Sequence, residues 1–123
     1  MAKSGAKTWY FPDGELPQPA TKGTMEPHEA LMIFNLNEKP AKVKLDIYFK
    51  DRDPIKGVKL VVPAERVVNF RMDKPEEIGG VEIPVGVQYA LRVRANVPVV
   101  CQFGRLDATQ PNLAYYTTMG RSE

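Results

Sequence analysis

Apolar and polar residues alternate with a period of two along most of this chain, and helical spacing is nearly absent. The clearest run is Lys42 to Lys50. Val43, Leu45, Ile47 and Phe49 fall on one face; Lys42, Lys44, Asp46, Tyr48 and Lys50 fall on the other. Such a pattern predicts a strand of an antiparallel sheet with one buried and one wet face. Val87 to Ala95 repeats it, with Val87, Tyr89, Leu91 and Val93 set against Gln88, Ala90, Arg92 and Arg94. Shorter runs predict strands at Thr8–Phe11, Glu29–Asn35, Gly57–Val62, Arg66–Arg71, Pro98–Arg105 and Asn112–Met119. Turn residues punctuate them at Asn37-Glu38-Lys39-Pro40, Asp51–Lys56 and Pro63-Ala64-Glu65. Asp73-Lys74-Pro75-Glu76 caps at most one short helical turn, which Gly79-Gly80 ends. Residues 12–27, rich in Pro, Gly and Thr, form a long loop, and residues 1–7 are expected to be flexible. The expected fold is all-β: one antiparallel β-sandwich domain over residues 1–123, jelly-roll-like, with about eight strands.

The strand predicted before the chain's end carries the most information. If the pleat is uninterrupted, Val99, Cys101, Phe103, Arg105 and Asp107 share one face. That face starts apolar and ends charged, as a core strand does when it reaches a rim or a polar site. Arg105 and Asp107 are expected to pair there.

Composition narrows the function classes. A chain of 123 residues with 43% hydrophobic and 26% charged positions suits one domain with a real core. The net charge of +2 is too small to imply nucleic acid or an acidic membrane by itself. A single cysteine excludes an internal disulfide framework. No apolar run approaches the roughly 20 residues that span a bilayer, and no apolar leader follows Met1; the expected location is the cytoplasm, without membrane insertion.

Catalytic chemistry is poorly represented. The only serines are Ser4 and Ser122, both near the ends of the chain. Cys101 sits in an apolar strand, so a buried structural thiol outweighs a reactive one. One His and one Cys lack the paired spacings of zinc sites, and His28-Glu29 with Asp107 would have to meet from distant segments. No metal, cofactor or catalytic residue is expected. Lys42, Lys44, Lys50 and Tyr48 on one strand and Arg92 and Arg94 on another would form a basic, aromatic patch suited to phosphates if the two faces adjoined; a merely solvated face is the commoner outcome. Aromatics on sandwich faces also stack on sugar rings, although Trp9-Tyr10-Phe11 more readily fills a core or an interface.

Several elements in order give the chain a family likeness: Trp9, Pro12-Asp13-Gly14 with Pro17, His28-Glu29 before a strand ending at Asn35, Ile47-Tyr48-Phe49, Pro54, Val62-Pro63-Ala64 with Arg66, Ile83-Pro84, Asn96-Val97-Pro98-Val99-Val100, Gln102, Arg105-Leu106-Asp107 and Gln110. With these the chain resembles the sensory rhodopsin transducer family. The resemblance implies an antiparallel β-sandwich assembled as a cytoplasmic homotetramer, acting as a non-enzymatic adaptor or transducer toward another protein. A sugar-like small molecule and DNA are the alternative partners. The candidate ligand- or partner-binding residues are Trp9, His28, Glu29, Gln102, Arg105 and Asp107.

Overall fold

The computed structural model describes residues 4–18, 25–108 and 113–123. Its strands are β1 (Ala6–Gly14), β2 (His28–Asn35), β3 (Ala41–Phe49), β4 (Ile55–Val62), β5 (Arg66–Arg71), β6 (Tyr89–Asp107), β7 (Ala114–Met119) and β8 (Arg121–Ser122). A single 3-10 turn, Pro75–Glu77, is the one helical element among the described residues. All strand pairings are antiparallel. The first sheet runs β4-β3-β6-β1-β8; the second runs β5-β2-β6-β7. Facing inward, the two sheets close a β-sandwich.

β6 belongs to both layers. Its first half, Tyr89 to Ala95, pairs with β3, while Val100 to Leu106 pairs with β2. The two strands expected at Val87–Ala95 and Pro98–Arg105 are therefore one strand of 19 residues. Pro98 normally interrupts a ladder because it has no N–H to donate. Here it stands where the strand passes from one sheet to the other, and its carbonyl accepts a hydrogen bond from Asn37 Nδ2 at 2.7 Å. The parity survives the crossing: Tyr89, Leu91 and Val93 are buried, and so are Val99, Cys101 and Phe103.

Other boundaries shift as well. Ala6 and Lys7, expected to be flexible, belong to β1, where Ala6 pairs with Val99. Residues 12–14, expected to open the long loop, continue β1 to Gly14, opposite Tyr89. The expected last strand starts at Ala114 rather than Asn112, and β8 follows it. Residues 1–3, 19–24 and 109–112, the last group including Gln110, lie outside the described residues. The 3-10 turn has no side-chain cap, because its N-cap position is Lys74, whose side chain has no acceptor; Asp73, one residue earlier, accepts two bonds of 2.7 Å from Arg71.

The core fills as the alternation predicts. Leu31, Ile33, Val43, Leu45, Ile47, Val62, Val93 and Phe103 are buried between the sheets. Each such side chain contributes about 1.5–3 kcal/mol by leaving water. Phe103 joins the halves: its ring centroid lies 6.0 Å from Phe11 and 6.4 Å from Tyr89, the latter edge-on. Cys101 lies fully buried in the same layer, and burial pushes its thiol up to about 12. Asn35, also buried, donates to the Lys39 and Val62 carbonyls and accepts from Asn37, which ties the β2–β3 connection, a crossing from one sheet to the other, to β4.

Candidate functional site

The inner face of β2 ends in a charge. Alternation puts Glu29, Leu31 and Ile33 in one row, all fully buried. Across the ladder they face Arg105, Phe103 and Cys101 of β6. Two apolar pairs are thus capped by an ionic one at the edge of the core. Glu29 Oε2 accepts from Arg105 Nε at 2.7 Å and from the backbone N–H of Glu15 at 3.2 Å. Oε1 accepts from the Tyr89 hydroxyl at 2.7 Å. Tyr89 reaches the carboxylate because its cross-strand neighbour is Gly14: a Cβ there would come within 2.5 Å of the tyrosine ring. Burial, then the Glu29 carboxylate, push the Tyr89 hydroxyl well above its ordinary value, so it stays a donor. Burial weakens the charge of Arg105, but its bond to Glu29 more than restores it.

Arg105 also lies over the Tyr116 ring of β7, 5.5 Å from the centroid. Its side chain is 23% exposed, yet its Nη2 is buried and has no hydrogen-bond partner among the described residues. A buried donor without an acceptor costs about 1–3 kcal/mol, and such groups mark places where something further can bind.

The six candidate residues separate into distinct places. Glu29 and Arg105 meet directly. Asp107 ends β6 beside them, opposite Ala114. The expected Arg105–Asp107 pairing gives way, at Arg105 Nε, to Glu29 across the ladder. The reason is distance: residues i and i+2 on a strand are about 6.8 Å apart, whereas directly opposed residues lie about 4.5–5.5 Å apart. His28 starts β2, with Nδ1 3.0 Å from the Glu26 carbonyl oxygen. Gln102 points to the outer face of the second sheet, among Met32, Phe34 and Met119. Trp9 lies in the core and donates from Nε1 to the carbonyls of Val99 and Ala6, at 2.9 and 3.1 Å. Tyr89 and Gly14 were not among the candidate site residues read from the sequence. The inward parity of Tyr89 was visible there; its hydroxyl's partner was not.

A second buried carboxylate stands on the outer face of the first sheet. Asp46 belongs to the polar side of β3, yet it is fully covered. Its Oδ1 accepts from the Gly57 backbone N–H at 2.9 Å and from Arg94 Nη2 at 3.0 Å. Its Oδ2 accepts from Arg92 Nε at 2.8 Å and Arg94 Nε at 3.0 Å. The Gly57 contact arises from a register shift in the β3–β4 ladder, with Gly57 at φ +76, a conformation natural to glycine. Burial alone would raise the Asp46 pKa; the bonds from Arg94, Gly57 and Arg92 outweigh it and hold the pKa below its ordinary value. The two basic faces do adjoin: Lys44 lies opposite Arg94, and Asp46 opposite Arg92.

The outer face of the second sheet is apolar. Met32, Phe34, Val67, Val100, Gln102 and Met119 line a depression of about 410 Å³. Phe34, Val67 and Met119 are 41%, 64% and 53% exposed. Every residue of β7 is exposed, so that strand presents both of its faces.

Among the described residues, no three His, Cys, Asp or Glu side chains are placed to hold a metal ion. No helix among them is long and apolar enough to cross a membrane. A family profile described as Anabaena sensory rhodopsin transducer matches residues 4–122. The crystal structure of Thermotoga maritima 1070 is 32% identical, with a TM-score of 0.85 over 97% of this chain and 96% of that one. The structure of the Anabaena sensory rhodopsin transducer is 28% identical, with a TM-score of 0.73 over 86% of this chain and 92% of that one. No curated protein matches the chain.

Proposed function

The chain belongs to the Anabaena sensory rhodopsin transducer family, and from that membership we propose that it is a non-enzymatic binding and signalling protein, working in the cytoplasm as an oligomeric adaptor or transducer. The observation that carries the oligomeric part is β7, exposed on both faces beside the apolar depression of the second sheet. A strand open on both sides, next to exposed Phe34, Val67 and Met119, is surface that association covers. Closed symmetry is the usual outcome for such surfaces, and a homotetramer is the form this reading commits to. The partner in signalling is another protein.

Light scattering on the full chain at micromolar concentration is expected to give a tetrameric mass. Val67→Glu is expected to lower that mass without loss of β-sheet circular dichroism. A monomeric mass for the unaltered chain removes the oligomeric reading.

One observation favours a second reading, a small sugar-like ligand at the Glu29–Arg105 end of the core. Arg105 Nη2 is buried and lacks an acceptor among the described residues, while Tyr116 supplies an aromatic face. A ligand hydroxyl would satisfy that donor. Thermal-shift measurements with a panel of monosaccharides and polyols are expected to show stabilisation that Arg105→Lys abolishes. No shift with any member of the panel discards this reading.

A further inference from the structure

The outer face of the first sheet is used by neither reading. Lys59, Lys44 and Arg94 stand directly opposite one another on three successive strands, β4, β3 and β6. Lys42 follows on β3, opposite Val61. In the row on the other side, Asp46 faces Arg92, Arg92 faces Tyr10, and Arg121 of β8 lies beyond. Lys56 and Arg92 lie over the Tyr48 ring, 5.8 and 5.9 Å from its centroid. Like charges directly opposite one another destabilise a sheet. Among the described residues, no carboxylate forms an ion pair with Lys42, Lys44, Lys56 or Lys59.

Two acids on this face are already engaged. Asp46 is fully buried, and its bonds occupy Arg92 Nε, Arg94 Nε and Arg94 Nη2. Both guanidinium groups are thereby held in a fixed orientation, which lowers the ordering cost of binding a carboxylate. Glu123 accepts from the Tyr10 hydroxyl at 2.7 Å. The lysine row thus carries charge that the fold leaves unpaired, and an acid from outside would relieve it.

Between Lys42, Lys44, Lys59 and Arg94 runs a trough of about 460 Å³, with Val61 and Asn96 also in its lining. Asn96 Oδ1 accepts from the Lys42 backbone N–H at 2.7 Å, which fixes that end of the trough. Lys42 and Lys44 lie two residues apart on one strand, about 6.8 Å. An extended chain laid along β3 repeats at the same distance, so acids at alternate positions meet the two lysines in turn. Val61, 57% exposed, offers an apolar contact beside them.

The outline of the patch favours a short peptide over a nucleic-acid backbone. The β3–β4 connection carries Asp51 and Asp53. The connections at the opposite end carry Glu38 and Glu65, and Glu123 follows β8. A phosphate chain running on past the patch meets like charge in each of these directions, whereas a short segment ends within it.

We propose that this face docks an extended acidic segment of a protein partner, with alternate Asp or Glu side chains on Lys42, Lys44, Lys59 and Arg94. This assignment rests on the adaptor reading above and leaves the second sheet free for association. Charge complementarity of this kind speeds encounter, fixes register and weakens with salt.

The test uses the full chain in whatever assembly it forms. Calorimetric titrations at low salt employ a short peptide alternating Glu with Thr, the same peptide with Gln for Glu, and a single-stranded DNA of equal charge. The Glu peptide is expected to bind about tenfold more tightly than the Gln peptide, and more tightly than the DNA. Lys44→Glu is expected to abolish that advantage without a fall in melting temperature, because it breaks the like-charge row. Lys74→Glu, at the 3-10 turn, makes the same change in net charge and is expected to leave binding intact. Equal binding of the two peptides overturns the proposal, and so does Glu-peptide binding that Lys44→Glu leaves unchanged. An equal loss in Lys44→Glu and Lys74→Glu overturns it in favour of net charge alone. DNA that binds more tightly than the Glu peptide overturns it in favour of a nucleic acid. Light scattering on the same samples separates the two readings: a tetramer that ignores the Glu peptide removes this docking surface only, and a monomer that binds it removes the oligomer only.

Discussion

Glu29 and Asp46 are both fully covered carboxylates, and both are held by arginines of β6. Their settings differ in what lies around the pair. Asp46 receives four hydrogen bonds, and its cations reach water at the sheet surface. Glu29 receives three, two of them from side chains inside the sandwich, Tyr89 and Arg105, and one nitrogen of its arginine has no acceptor among the described residues. Burial of a charge therefore has two meanings within one domain. At Asp46 it is a closed unit that organises a surface. At Glu29 it is an unfinished polar site at the end of the core.

The comparison predicts unequal costs of removal. Glu29→Ala leaves Arg105 uncompensated and the Tyr89 hydroxyl without its acceptor; the loss is expected to be about 3–5 kcal/mol in urea unfolding. Asp46→Ala frees two arginines that can rehydrate, so about 1–3 kcal/mol is expected. Equal losses would erase the distinction.

Acid separates the two differently. The folded pKa of Asp46 lies below its unfolded value. Its contribution is therefore fully present above the unfolded pKa of about 3.9 and is lost as pH falls through the lower folded value. The stability difference between the unaltered chain and Asp46→Asn should hold steady from pH 7 to about 5 and shrink toward pH 2. A difference that does not change across that range contradicts the arginine clamp.

Cys101 sharpens the comparison from inside, since it lies on β6 in the row that faces Glu29, Leu31 and Ile33, directly opposite Ile33. With its thiol pushed up to about 12, labelling by thiol reagents should be slow in the native protein. It should quicken in Glu29→Ala and much less in Asp46→Ala. Rapid labelling of the unaltered chain would show that this end of the core opens freely. The smallest effect belongs to Lys44→Ala, whose removal relieves the like-charge row. Stability should stay within about 0.5 kcal/mol of the unaltered chain, and a larger loss would mean that Lys44 has a partner role in the fold.

Period-two alternation made most of the sandwich legible. The inward row Val43, Leu45 and Ile47 is buried as the pattern implied. The join of two strands through Asn96-Val97-Pro98 was not legible, because proline signals a break unless the chain is changing sheets at that point. Arg105 was legible as a charge ending an apolar face, but Glu29 as its partner depends on register between segments 76 positions apart. The burial of Asp46 was hidden for the same reason: its place among lysines read as a wet face, and only the Gly57 bulge and the opposed Arg92 reveal the clamp.

Because β6 is an inner strand of both sheets, the sandwich has no natural line along which to come apart. Peeling either layer away strips hydrogen-bonded neighbours from the same continuous segment. The domain should consequently melt as one cooperative unit, with the amides of Leu91 and Phe103 exchanging with solvent only in the same global event. A backbone cut near Val97 would sever both halves at once, whereas a cut at Glu38, in the connection between β2 and β3, would leave every ladder of β6 whole.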